Sequence, residues 1–415
     1  MNSSGASDPP PEGAAAPRAA PSRALGRNVV ALSAVSFLTD VSSEMIYPLL
    51  PLFLSVVLRA SATAIGVIEG AAESTAALLK LASGVWSDRV RRRKPLVVAG
   101  YALASVARPL VAIAQSAGQV LAIRVSDRVG KGLRTSPRDA LIADSVHPSI
   151  RGRAFGFQRA ADHAGAVVGP LIAFFIMRAE HVPFRRVFWL AAIPGLLAVL
   201  VLVFAVRDVP RRRPLASPAG SRDRLGGRFW AFLGVLFLFT LGNSSDAFLL
   251  LRAAQLGVPA ALAPILWAML HVVKSSSSTP GGALSDRIGR KPLIIGGWAV
   301  YGVVYLLFGR ATQAWHAWAL FAVYGVYFGL TEGVQKALVA DVVPDEQRGT
   351  AFGWYNLALG LGAFPASLIF GEIWDRVGAP AAFTFGAMLA LVSAVAISIV
   401  APGRQRGSNQ SQAIR

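Results

Sequence analysis

Long apolar stretches alternate with short basic ones along almost the whole chain. A helix that crosses a bilayer needs about 20 mainly apolar residues, because the hydrocarbon layer is about 30 Å thick and each residue rises 1.5 Å. Twelve stretches meet that length. They lie near residues 29–57, 63–86, 95–115, 118–145, 152–177 and 187–206, then near 229–252, 258–283, 293–310, 315–341, 349–374 and 380–401. We number them spans 1 to 12. Between spans 6 and 7 runs RDVPRRRPLASPAGSRDRLGGR, rich in Pro, Gly and Arg and without apolar periodicity, which reads as a linker. The pattern predicts an all-α integral membrane protein with two pseudo-symmetric six-helix halves. Its expected parts are a tail at 1–27, a first half at 28–206, a central loop at 207–228, a second half at 229–402 and a tail at 403–415. Both tails read as disordered from composition.

The halves also repeat each other in sequence. GVWSDRVRRRKPL follows span 2 and GALSDRIGRKPL follows span 8, with Asp88 and Asp286 198 positions apart. ALIADSVHPSIRGRAFGF and ALVADVVPDEQRGTAFGW repeat likewise, with Arg151 and Arg348 197 positions apart. Two equivalent halves in a membrane create a site where they meet.

Composition narrows the chemistry. The chain is 54% hydrophobic and 15% charged, against about 25% charged in ordinary soluble domains. Its net charge of +19 does not point to nucleic acid, because the Arg and Lys residues sit in short inter-span loops. The tails and the even-to-odd loops carry about two dozen of them and the opposite loops about seven, which orients both termini to the cytoplasm. Arg178, Arg185 and Arg186 run against that bias but are a minority. The first 27 residues lack the apolar core of a signal peptide. There is no cysteine, and no histidine pair at HxxH or HExxH spacing, so no metal or other cofactor is expected and an enzyme is not. No GxxxxGK[ST] loop is present, which speaks against ATP drive.

Twelve spans, a 6+6 repeat, a basic central loop and a GxxxDRxxRR signature after spans 2 and 8 together resemble the major facilitator superfamily. The resemblance covers about residues 28–402. The second copy fits well in Gly282, Asp286, Arg287, Gly289, Arg290 and Lys291; the first has Gly84, Asp88, Arg89, Arg92 and Arg93, with Arg91 where the family has glycine. The resemblance implies a small-solute carrier working by alternating access, with these loops as gating latches. Physically, an Asp at a helix end can cap the next helix or pair with a neighbouring Arg. Gly165, Gly169 and Pro170 of span 5 partly match the pattern of the superfamily's proton-coupled exporters, though a close helix crossing alone would account for the two glycines. The stretch from Arg128 to Gly132 resembles the RxxxG motif of its proton-coupled members.

Charges inside the spans supply the candidate site. On span 4, Arg124, Arg128, Lys131 and Arg138 share one face, flanked by Asp127 and Arg134. Each would cost about 3 kcal/mol facing lipid, so the face must look at water or at acids. Span 1 carries Asp40 and Glu44, one turn apart and roughly 16–22 Å into the helix. Its Ser42-Ser43-Glu44 corresponds to Ser244-Ser245-Asp246 of span 7. Desolvation penalises a charged carboxylate, which suits such a group to exchange protons. Asp40, Glu44, Asp246 and Arg128 are therefore the proton-coupling candidates. Arg124, Asp127, Lys131, Glu73, Asn243, His271, Lys274, Glu332 and Asn356 are the substrate-cavity candidates, each with a structural ion pair or hydrogen bond as its alternative. Tyr47, Trp267, Tyr324, Tyr327, Trp354 and Tyr355 suit either a pocket wall or packing. The sequence reading is a monomeric carrier in the cytoplasmic membrane that exports small organic compounds against protons. Uptake or exchange of an organic anion is the alternative, and a sensor or membrane enzyme a distant third.

Overall fold

A computed structural model describes residues 25–90, 92–146, 151–180, 183–209, 225–343 and 348–400, with a few further side chains left out. Twelve helical crossings follow the expected order. Span 1 is Arg27–Ile46, continued past Pro48 and Pro51 by Leu50–Leu52 and a π-helical turn, Phe53–Val57. Span 2 is Ala62–Arg89, and span 3 is Lys94–Ala107, tightened at Pro109 into the 3₁₀ turn Arg108–Ile113. Spans 4 and 5 are Ala117–Asp144 and Arg151–Glu180. Span 6 is Phe184–Leu190 plus Ala192–Ala205. Span 7 is Gly227–Gly242 plus Ala247–Gln255, and span 8 is Ala263–Ile288. Spans 9 to 12 are Arg290–Arg310, Ala314–Val342, Arg348–Arg376 and Ala379–Val400.

Ten of these helices are long and apolar enough to cross a membrane on composition alone. Spans 4 and 8 are as long but too polar. Both are shielded by packing: span 4 lies against spans 2 and 3, and span 8 against spans 5 and 10. Polar residues in such helices must face protein or water, and that places them inside.

The halves meet along two helix pairs, spans 2 with 11 and spans 5 with 8. Small residues bring the first pair into backbone contact. A Cβ on Gly66 would lie 2.2 Å from the Ser367 carbonyl oxygen, one on Gly360 2.1 Å from Ala77 Cβ, and one on Gly371 2.6 Å from the Ala62 carbonyl oxygen. Ser74 Oγ donates to the Gly360 carbonyl at 2.6 Å. Within the first half, Gly165 and Gly169 let span 5 cross span 1, where added Cβ atoms would meet the Phe37 and Val41 carbonyls at 2.5 and 2.6 Å. Membrane helices associate largely through such packing, since lipid tails give them no hydrophobic drive.

The N-terminal end of span 1 and the C-terminal end of span 6 adjoin, with Asn28 donating to the Arg207 carbonyl at 2.9 Å. We call this the terminal side. On the opposite, far side the halves are shut. Asp375 of span 11 accepts the first free N–H groups of span 2, Ala62 at 2.9 Å and Thr63 at 2.7 Å, and so caps a helix of the other half. Thr63 Oγ1 donates to Glu372 at 3.0 Å. On the terminal side the interior is open: mid-helix Glu73 and Glu332 have 46% and 45% of their side chains exposed, whereas Glu69, one turn nearer the far side than Glu73, has 3%.

Candidate functional site

The wall of the first half is a lattice of ion pairs. Asp127 of span 4 sits at its centre, accepting from Arg108 Nε at 2.8 Å and lying 3.6 Å from Arg128 and 3.9 Å from Arg124. Arg124 donates to both oxygens of Glu69 at 2.9 Å, and Arg128 reaches Glu73 at 3.1 Å. Arg108 also donates to the Thr39 carbonyl at 3.1 Å and so ties spans 3 and 4 to span 1. Arg124, Arg128, Asp127 and Glu69 are all buried. Here buried charges are neutralised by opposite charges at hydrogen-bonding distance, the only arrangement an apolar interior tolerates. Arg138 turns instead to its neighbour Asp139 at 2.8 Å and to Ser36 at 3.1 Å, and Arg134 lies over the Tyr101 ring at 4.2 Å.

Three carboxylates of the interior stand outside this lattice. Glu44 accepts from Trp267 Nε1 of the opposite half at 2.7 Å. Asp246 accepts from the Tyr324 hydroxyl at 2.7 Å. Asp40 lies among the charges of Asp162, Glu44, Arg134 and Lys131. Among the described residues none of the three has an arginine or lysine at ion-pair distance. Span 7 breaks at Asn243, just before Asp246, where the helix gives way to a non-helical turn. The carbonyl freed at Gly242 is taken up by Tyr301 Oη at 3.0 Å, and the Ser245 N–H by Ser367 Oγ at 3.2 Å. Irregular backbone at membrane depth needs such partners. Span 1 has no break at the matching Ser42-Ser43-Glu44; Ser42 Oγ donates to the Ala191 carbonyl at 2.8 Å.

The second half builds its wall from aromatic rings. Trp298, Tyr301, Tyr305 and Tyr324 are fully buried, with Tyr327 nearly so. Tyr301 stacks on Tyr305 with centroids 4.1 Å apart, Phe239 stacks on Trp298 at 4.4 Å, and Tyr324 lies 5.6 Å from Tyr327. Lys274 pairs with Glu332 at 3.4 Å and places its ammonium 4.0 Å from the centre of the Phe328 ring. Tyr47 of span 1 meets Trp267 at 4.9 Å, so the aromatic wall continues across the interface.

The structure thus brings Asp40, Glu44, Arg124, Asp127, Arg128, Glu73, Asp246 and His271 into one interior. Asn356 is exposed and donates to the Phe352 carbonyl of its own helix at 2.8 Å. Trp354 packs on Trp230 at 5.1 Å and Tyr355 donates to Gln335 at 3.0 Å. Sequence reading missed Arg108, Tyr301 and Tyr305. Arg108 stands beside Pro109 near the end of an apolar span, which reads as an interfacial anchor.

The loops show a second repeat. The side chains of Asp88, Arg89 and Asp286 lie outside the described residues. Gly84 and Gly282 sit in the last turns of spans 2 and 8, Arg92 and Arg287 are exposed, and Gly289 has φ +101°, a value that favours glycine. Arg93 pairs with Asp144, and Arg290 with Asp341 at 3.3 Å, each across a spacing of 51 residues. In both halves the loop arginine thus holds the terminal end of spans 4 or 10. The two copies of ALxAD carry these aspartates, so the signal was present in the sequence.

A helical membrane protein of two matched halves, shut on one side and open on the other around a polar interior, has the build of a secondary transporter. The family model of the Major Facilitator Superfamily matches residues 32–273 and 253–414. The chain belongs to that superfamily and is a transporter. It is 34% identical over 385 residues to an uncharacterized MFS-type transporter of Methanocaldococcus jannaschii, covering 91% of this chain and 96% of that one. It is 24% identical to the multidrug resistance protein MdtH of Cronobacter sakazakii over 82% of this chain and 84% of that one. The nucleoside transporter NupG shares the fold, with a TM-score of 0.75 at 13% identity, covering 90% of this chain and 99% of that one.

Proposed function

We propose that the protein exports small organic compounds in exchange for protons, by alternating access, as a monomer in the cytoplasmic membrane with both termini in the cytoplasm. One observation carries the reading. Glu69, Glu73 and Asp127 each have an arginine partner, while Asp40, Glu44 and Asp246 in the same interior have no arginine or lysine at ion-pair distance among the described residues. A carboxylate locked to arginine keeps its charge; one without a cation can trade it for a proton as its surroundings change. Glu44 and Asp246 stand on opposite halves, so rocking the halves changes the surroundings of both. The name of the MdtH relative supports export. In this reading the loops of Asp88 and Asp286 are the terminal-side latches, and the pairs Arg93–Asp144 and Arg290–Asp341 brace the loop within each half.

Lys131 supports a second reading, uptake or exchange of an organic anion. It is the span-4 cation of the inner face that has no carboxylate at ion-pair distance among the described residues, and an ammonium is a fitting phosphate or carboxylate partner.

Energised inside-out vesicles with a pH-gradient dye test both readings. Compounds are added singly, lipophilic cations first and organic anions next. Export predicts that some compound collapses the gradient and that Asp246→Asn vesicles do not respond. Compound flux without proton movement would reject proton coupling; response to anions alone would move the assignment to Lys131.

A further inference from the structure

Glu44 belongs to the first half, but its hydrogen-bonding neighbour belongs to the second. Its Oε2 accepts from Trp267 Nε1 at 2.7 Å and lies 4.0 Å from His271 Nε2. His271 is one helical turn along span 8, with its ring edge-on to Trp267 at 5.1 Å. Both ring nitrogens of His271 are shut away from the surface without a hydrogen-bond partner among the described residues. Buried donors and acceptors are nearly always satisfied, so an unpaired imidazole beside a carboxylate of the other half stands out. The contact lies on the shut side of the interior, toward the far-side ends of spans 1 and 8.

We propose that Glu44 and His271 form a proton-operated bolt between the halves. A proton on His271 turns the 4.0 Å approach into an ion pair that joins span 1 to span 8 and holds the far side shut. Its departure to solvent leaves only the Trp267 hydrogen bond, and the halves part. The charges facing His271 are Glu44 from span 1, Lys274 from its own helix, His163 from span 5 and Glu332 from span 10. Lys274 and Glu332 pair with each other at 3.4 Å and largely cancel. Glu44 is therefore the carboxylate that favours a proton on His271, against the cost of burying the charge. The inference rests on the proton-coupled reading and adds the residue that converts a proton into movement; His271 acts here as a positioning residue.

The chain has no cysteine, so a pair of introduced cysteines can be spin-labelled without background. Val56→Cys and Val377→Cys place labels on exposed far-side ends of spans 1 and 11, in opposite halves. The full chain in liposomes is measured by pulsed electron resonance between pH 8 and pH 5, a window that extends well below the ordinary histidine pKa of about 6.5. Shut-to-open ratios should rise about tenfold as pH falls, the net left from the attraction of opposite charges about 4 Å apart once the cost of burying them is met. Glu44→Gln, His271→Gln and the double variant should each show less than about a twofold change, with the double no worse than either single. His271→Asn serves if His271→Gln loses thermal stability. A wild-type response retained in both single variants overturns the bolt and leaves proton coupling standing. A flat wild-type response overturns the bolt alone if compounds still drive proton release in vesicles, and both readings if they do not.

Discussion

Spans 3 and 4 can be laid over spans 9 and 10 by a shift of 197 positions, which matches Lys94 with Lys291 and Asp144 with Asp341; spans 2 and 8 match at 198. Under that overlay the walls of the two halves hold different chemistry at the same places. Arg108 corresponds to Tyr305, Asp127 to Tyr324, Arg124 to Phe321 and Lys131 to Phe328, while Glu69 corresponds to Trp267 and Glu73 to His271. The Arg108–Asp127 ion pair at 2.8 Å becomes a Tyr305–Tyr324 ring contact at 6.3 Å. One fold therefore closes the same helix crossing in two ways, by charge in the first half and by aromatic area in the second. The difference matters for movement. An ion lattice buried in low dielectric resists being pulled apart, because each freed charge would be left unpaired. Rings that meet through dispersion and hydroxyl contacts lose less per contact when they slide. The first half reads as the rigid member and the second, with its broken span 7, as the compliant one.

The sharpest way to break this comparison is to remove the hub of the lattice. Asp127→Ala leaves Arg108, Arg124 and Arg128 short of an anion and should cost about 3–5 kcal/mol, seen as lost thermal stability in detergent. Tyr305→Phe, at the place that Asp127's partner Arg108 holds in the first half, should cost only about 1 kcal/mol, since it deletes a neutral hydroxyl contact to Ser244 at 3.3 Å. Equal losses would refute the contrast. Tyr324→Phe deprives Asp246 of its donor and should cost about 1.5–3 kcal/mol. Combining it with Asp246→Asn should cost less than the sum of the two single losses, and strict additivity would show that the pair does not interact. Asp375→Ala removes a cap that one half supplies to the other and should destabilise the far-side seal by about 1 kcal/mol. Thiol labelling of a cysteine placed at Ser61 should then speed up several-fold, and an unchanged rate would remove Asp375 from the seal. At the small end, Arg376→Ala breaks an exposed pair with Glu372 and should shift stability by a few tenths of a kcal/mol at most, measured as the thermal midpoint.

Much of this molecule was legible along the chain. The twelve crossings follow from apolar length, and the structure moves their ends by only a few residues. Spans 4 and 8, read from the sequence as crossings like the rest, are the two whose polar residues take them below the apolar measure that the other ten meet. The charged face of span 4 foretold acidic partners, and Glu69 and Glu73 of span 2 supply them. What stayed hidden were contacts between spans far apart in sequence. Arg108 shows no sign of Asp127 in its own neighbourhood. Tyr301 and Tyr305 read as ordinary apolar filling until the break in span 7 exposes a carbonyl for one of them. Glu44 and Trp267 are 223 residues apart and belong to different halves.

The sequence by itself determined that the chain spans a membrane twelve times, that it does so in two matched halves, and that its interior must be charged. Those properties rest on local composition and periodicity, because the cost of putting a residue into lipid is counted helix by helix. Only the tertiary structure decided which charges cancel and which remain. That depends on distance between helices and on how tightly small residues such as Gly66 and Gly360 let them approach. Asp127 and Glu44 look alike on paper. One is enclosed by three arginines and the other faces a tryptophan and a histidine, and in a low-dielectric interior a few ångströms of placement separate a carboxylate that has cation partners from one that meets none among the described arginines and lysines.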